Sequence, residues 1–195
     1  MHKVALGAAV LAIGALGATG AYAKGMKLTS AEVKNGETIN MEQVLNTFTC
    51  TGQNISPSLS WSGAPKETKS FVVTIYDPDA PTGSGWWHWV VINLPPSTTS
   101  LAKNAGDPKA NLMPAGAIQV RTDFGAPGYG GPCPPKGDKP HHYHITVFAV
   151  DEDKLQFAQN DQASAALVGY ELHFHTLAKA SIVGLYGRPA EKKKK

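Results

Sequence analysis

Residues 69–76, Lys-Ser-Phe-Val-Val-Thr-Ile-Tyr, are rich in β-branched and aromatic side chains and are closed by Asp77-Pro78. Residues 87–94, Trp-His-Trp-Val-Val-Ile-Asn-Leu, repeat that character and are closed by Pro95-Pro96. Runs of this length and composition between turn signals predict strands, and their nearly continuous apolar content predicts cover on both faces. Residues 142–150 and 181–186 read as further strands. Asn35-Gly36 is a hairpin signal between residues 28–33 and the segment that follows. Helical period is scarce. It is best at residues 162–172, where Ala163, Ala166, Leu167 and Tyr170 fall at helical spacing, with a helical turn around 153–159. With 20 Gly and 14 Pro punctuating short strands, the expectation is a mainly β protein: an antiparallel Greek-key β-sandwich with one or two peripheral short helices.

The ends of the chain divide it. Met1-His2-Lys3, an uncharged stretch to Gly20 and the small-x-small Ala21-Tyr22-Ala23 have the three parts of a secretory signal peptide, with cleavage after Ala23. Its Ala and Gly content argues against an uncleaved anchor. No cysteine follows to accept a lipid. Residues 1–23 are thus read as a leader, 24–188 as a single domain, and 189–195 as a disordered lysine-rich tail, with a periplasmic or secreted destination. Removing 23 of 195 residues leaves 172, a length that suits one core.

The charge falls from +3 to +2 as Lys3 leaves, and Lys192 to Lys195 supply much of the rest. A near-neutral body lacks the basic face that nucleic acid requires. A membrane contact through four lysines without an apolar partner is at most peripheral. Cys50 and Cys133 are the only cysteines, so in an oxidising compartment they have one connectivity, against the alternative of two buried thiols.

Three segments carry candidate chemistry. Asp77-Pro78-Asp79-Ala80-Pro81 leaves the first long strand, and Trp86-Trp87-His88 opens the second. An Asp-Pro-Asp string alone is ordinary turn chemistry. His88, eleven residues beyond Asp77, meets it if the two strands are neighbours. The third segment, Gly130-Gly131-Pro132-Cys133-Pro134-Pro135, is too proline-rich for a strand and leaves the amides of Gly130, Gly131 and Cys133 as donors. It leads to His141 and Tyr143, an i, i+2 pair that shares one strand face.

These segments resemble the phosphatidylethanolamine-binding proteins, in particular their bacterial Raf-kinase-inhibitor-like branch, over residues 28–188. The resemblance implies a large antiparallel β-fold with a small anion pocket. It assigns pocket roles to Asp77, His88, His141 and Tyr143, walls to Ala80, Pro81 and Trp86, and loop contacts to Gly131 and Cys133. The family's Gly-x-Gly-Pro-Pro loop is altered here, so the second glycine's contact falls to Cys133. Residues 36–46 also depart from the usual approach to Thr49-Cys50-Thr51-Gly52.

Donors from His88, His141, Tyr143 and the loop amides favour an oxyanion such as a phosphate group, and Asp77 favours a protonated ligand oxygen or an amine. The functional expectation is an exported, non-enzymatic binding protein for a small phosphorylated or anionic ligand, without cofactor or resident metal. A protein partner and a homodimer stay open. The alternatives are an inhibitor of a kinase or protease acting through the pocket rim, and a metal-dependent or other hydrolase built on Asp77, His88 and His141. No Gly-x-Ser-x-Gly elbow supports hydrolysis. His142 with His144, and His173 with His175, are further i, i+2 pairs that would each share a face on a strand.

Overall fold

A computed structural model describes residues 25–157 and 163–191. Residues 1–23, read above as a leader, the last four lysines and part of the second helical reading lie outside the described residues. Within 189–195, residues 189–191 are described, and Glu191 pairs with Lys136 at 2.6 Å.

Two antiparallel sheets face each other. The smaller has the order β1 (Lys27–Thr29), β2 (Leu59–Ser62), β5 (Ser100–Leu101). The larger has the order β6 (Ile118–Gln119), β4 (Trp86–Leu94), β3 (Ser70–Asp77), β7 (His141–Val150), β8 (Thr176–Tyr186). β3 is central and buried along nearly its whole length, as its continuous apolar run requires. Alternate residues serve two cores. Phe71, Val73 and Ile75 join Trp61, Trp89, Tyr143 and Ile145 between the sheets. Val72 joins Val90, Ile92 and Val150 beneath the helix α1 (Ala165–His175) on the outer face.

Four sequence expectations are corrected. The turn at Asn35-Gly36 does not join two paired strands. β1 pairs with β2, while Gly36 donates to the Val183 carbonyl and Thr38 bridges Leu185, so the segment docks on β8. The helix begins after Ser164, whose hydroxyl accepts from the Leu167 amide at 3.1 Å. Its buried face is Ala165, Val168 and Leu172, whereas Leu167 and Tyr170 point outward. Both faces are apolar, so spacing alone could not choose between them. Residues 153–157 are not helical, and His173 and His175 lie on α1, where two-residue spacing separates them onto different faces.

Candidate functional site

The β3–β4 register places Asp77 opposite Trp86, and the β3–β7 pairing brings the end of β3 to the start of β7. Asp77 and His88 therefore meet His141 and Tyr143 at one end of the large sheet. The Asp-Pro-Asp turn is tied to β7 residue by residue. Asp77 accepts from the Asp79 amide through Oδ1 at 2.9 Å, and its Oδ2 lies 2.7 Å from His141 Nδ1. Asp79 Oδ2 accepts from the amide of His142 at 2.8 Å and lies 2.7 Å from its Nδ1. That second bond, first among several causes, holds the Asp79 carboxyl below its usual range. A second carboxylate, Asp138, stands 3.5 Å from His141 Nε2.

His88 is fixed differently. Its Nδ1 lies 2.7 Å from the Gly130 carbonyl oxygen, which can only accept, so Nδ1 carries the proton and Nε2 offers a lone pair. Burial depresses the His88 pKa to about 4, against the opposing pull of the Gly130 carbonyl and the Asp77 charge. His88 is therefore neutral near neutral pH, and its remaining nitrogen, Nε2, accepts rather than donates, contrary to the expectation that His88 supplies a donor to an oxyanion.

Two of the three loop amides are also committed. Gly130 N–H donates to the His88 carbonyl at 2.9 Å, and Gly131 N–H donates to Asn54 Oδ1 at 2.8 Å. Gly131 does not line the cavity. A side chain there would run into the Gln43 carbonyl and the Leu45 amide, so its contribution is close approach of the loop to residues 43–45. A side chain at Gly130 would strike the Phe124 ring. That missing side chain lets Phe124 pack edge-on against both Trp86 and His88, with centroids 5.4 Å away in each case.

A cavity of about 250 Å³ opens among these elements. Asp77, Ala80, Pro81, Trp86, His88, Cys133, His141 and Tyr143 line it together, as do Leu45, Phe48, Thr82, Phe124, Pro134 and Pro135. Phe48 and Phe124 escape sequence reading because long-range contacts place their loops. Asn54, which sits in an Asn-x-Ser string, is seen in the fold as a loop brace, its amide also donating to the Tyr129 carbonyl at 3.2 Å. Cys50 and Cys133 form a disulfide, with Cα atoms 6.0 Å apart.

In the cavity wall the buried Trp86 Nε1 lacks any protein acceptor among the described residues, and the Tyr143 hydroxyl, also buried, meets no acceptor at full hydrogen-bond geometry and interacts only with the nearby Asp77 carboxylate. Burial, then the nearby Asp77 charge, pushes the Tyr143 hydroxyl far above its usual pKa, so it keeps its proton. Asp77, His88 and His141 do not converge as a metal-ligating group. Among the described residues the convergent set is Asp151, Glu152 and His175, at the junction of α1 and β8.

A family model described as phosphatidylethanolamine-binding protein matches residues 29–187. The chain is 51% identical over 166 residues to the protein YbcL of Escherichia coli strain K12, covering 85% of this chain and 90% of that one. It is 49% identical over 161 residues to YbhB of the same strain, covering 83% and 99%. A crystal structure of E. coli YbcL superposes with a TM-score of 0.80 over 83% of this chain and 98% of that one. A protein from Chlamydia trachomatis, 30% identical, gives 0.68 over 84% and 98%.

Proposed function

The chain belongs to the phosphatidylethanolamine-binding protein family, and from that premise we propose that it is an exported, non-catalytic binding protein whose cavity takes a small phosphorylated or otherwise oxyanionic group. The observation that carries this reading is the buried donor Trp86 Nε1, which has no acceptor among the described residues, beside the Tyr143 hydroxyl, which has only the Asp77 carboxylate near it. A buried unpaired donor costs about 1–3 kcal/mol, and a ligand oxygen would offset that cost. Both atoms are almost fully covered, so a ligand reaches them by small side-chain shifts of the kind common on binding.

The acceptors fit the same ligand. His88 Nε2 favours an oxygen or nitrogen that still bears a proton, and the negative charge of Asp77 favours an ammonium nearby. A phosphate monoester in its singly protonated form meets the two donors and the lone pair at once. An ethanolamine-phosphate headgroup adds the ammonium. Because His88 is already neutral, affinity should follow the second ionisation of the ligand, about pKa 6 for a phosphate monoester, and fall above it.

Titration calorimetry with inorganic phosphate and phosphoethanolamine tests this. Tyr143→Phe removes one donor while keeping the ring and Trp86→Phe removes the other while keeping an aromatic side chain, and each should weaken binding by on the order of 1–3 kcal/mol. Replacing the phosphate by a phosphonate with a higher second pKa should move the pH profile by the same interval. Unchanged affinity in both variants would remove the basis of the reading.

A further inference from the structure

Phe48 is 71% exposed, yet it does not hang free in solvent. Its ring stacks on Phe124 with centroids 6.3 Å apart, and both rings line the cavity. Its backbone is left-handed, with φ 50°, and Thr49 follows with φ 66°. Two successive non-glycine residues in that region are costly and persist only where surrounding structure enforces them. Here the enforcement is visible. The next residue, Cys50, is bonded to Cys133 in the facing wall. Arg188 braces the bridge from behind, donating to Cys50 Sγ at 3.0 Å, Cys133 Sγ at 3.1 Å and Thr49 Oγ1 at 3.1 Å. A strained segment thus holds an apolar ring at the mouth of a site, where strain commonly serves function.

The cavity exceeds what an oxyanion fills. At a liquid share of about 30 Å³ per water, its 250 Å³ corresponds to roughly eight waters. An oxyanion beside Trp86 would have the Phe124 ring next to it and Phe48 beyond, so whatever extends from that oxyanion meets aromatic carbon.

Resting on the reading of the pocket as an oxyanion site, we infer that Phe48 is its specificity-determining residue: strapped over the mouth by the Cys50–Cys133 bridge, it selects, among phosphate esters that bring no ammonium to Asp77, those whose ester group is apolar immediately next to the phosphate. A polar ester group of similar size, such as glycerol, gains nothing from the two rings and leaves its hydroxyls facing carbon. Preference for an apolar ester therefore separates this device from a site tuned to the glycerol-linked phosphate of a lipid.

The test measures affinities of the oxidised protein for inorganic phosphate, glycerol 3-phosphate and n-butyl phosphate. The wild type should bind butyl phosphate about tenfold more tightly than glycerol 3-phosphate, as removal of a few methylene groups from water allows. Phe48→Ala should reduce that ratio toward one, and Phe48→Leu, which restores apolar area, should recover most of it. The C50S/C133S double variant should lose the preference as Phe48→Ala does. If the wild type binds none of the three, the oxyanion reading itself falls. If it binds them but Phe48→Ala keeps the ratio, this inference alone is wrong. A ratio kept in the double variant and lost in Phe48→Ala would overturn the role of the strap while leaving that of the ring. Should the double variant not fold, the alanine and leucine variants still decide the role of Phe48.

Discussion

Asp77 Oδ2 and His141 Nδ1 lie 2.7 Å apart, joining the end of β3 to the start of β7, with both residues buried. The same carboxylate also caps its own turn by accepting from the Asp79 amide. Asp77→Asn keeps the shape but leaves a single acceptor oxygen for two donors. It should therefore destabilise the fold by about 1–3 kcal/mol, read as a shift in the denaturant midpoint. It should also weaken phosphoethanolamine more than inorganic phosphate, because the charge facing the ammonium has gone. Wild-type stability together with an unchanged headgroup preference would contradict both roles.

His88 makes the fold sensitive to acid. Its folded pKa of about 4 lies below the ordinary value of 6.5, so the unfolded chain takes up this proton first as pH falls. The stability held by neutral His88 is complete above about 6.5 and declines progressively down to about 4. That interval corresponds to on the order of 3 kcal/mol at 1.36 kcal/mol per unit. Denaturation midpoints measured from pH 7 to pH 4 should fall, and His88→Asn, which cannot titrate there, should flatten that slope. An equal slope in the variant would show that the acid sensitivity lies elsewhere.

Much of the large sheet is legible from residues 69–76 and 87–94, because a continuous β-branched run has few other solutions. Register then follows, and it carries Asp77 to the level of Trp86. Period two places His141 and Tyr143 on one face. What escapes the sequence depends on distant contacts. The tautomer of His88 is set by a carbonyl 42 residues away. Phe48 reaches the cavity through a disulfide spanning 83 residues, and Phe124 through the missing side chain of Gly130. The face of α1 was illegible because apolar residues occupy both sides of it.

The bridge itself should matter to stability. Closing so long a loop contributes roughly 4 kcal/mol in the chain-entropy model, less any native strain. The C50S/C133S variant should lose a few kcal/mol in denaturant titration. Alkylation of wild-type protein purified without reductant, under denaturing conditions, should label neither cysteine. Two labelled thiols would contradict it.

The charged start, apolar run and Ala21-Tyr22-Ala23 predict that the mature chain begins at Lys24. N-terminal sequencing of protein recovered from the envelope fraction checks this. Recovery of a form beginning at Met1 in the membrane would contradict it.

The most direct test of the central claim is a crystal structure of the protein soaked in phosphoethanolamine near neutral pH. The account predicts phosphate oxygens within hydrogen-bond distance of Trp86 Nε1 and the Tyr143 hydroxyl, with His88 Nε2 facing a protonated ligand atom and His88 Nδ1 still on the Gly130 carbonyl. Phosphate bound elsewhere on the surface, with Trp86 Nε1 still unpaired in an empty cavity, would contradict it.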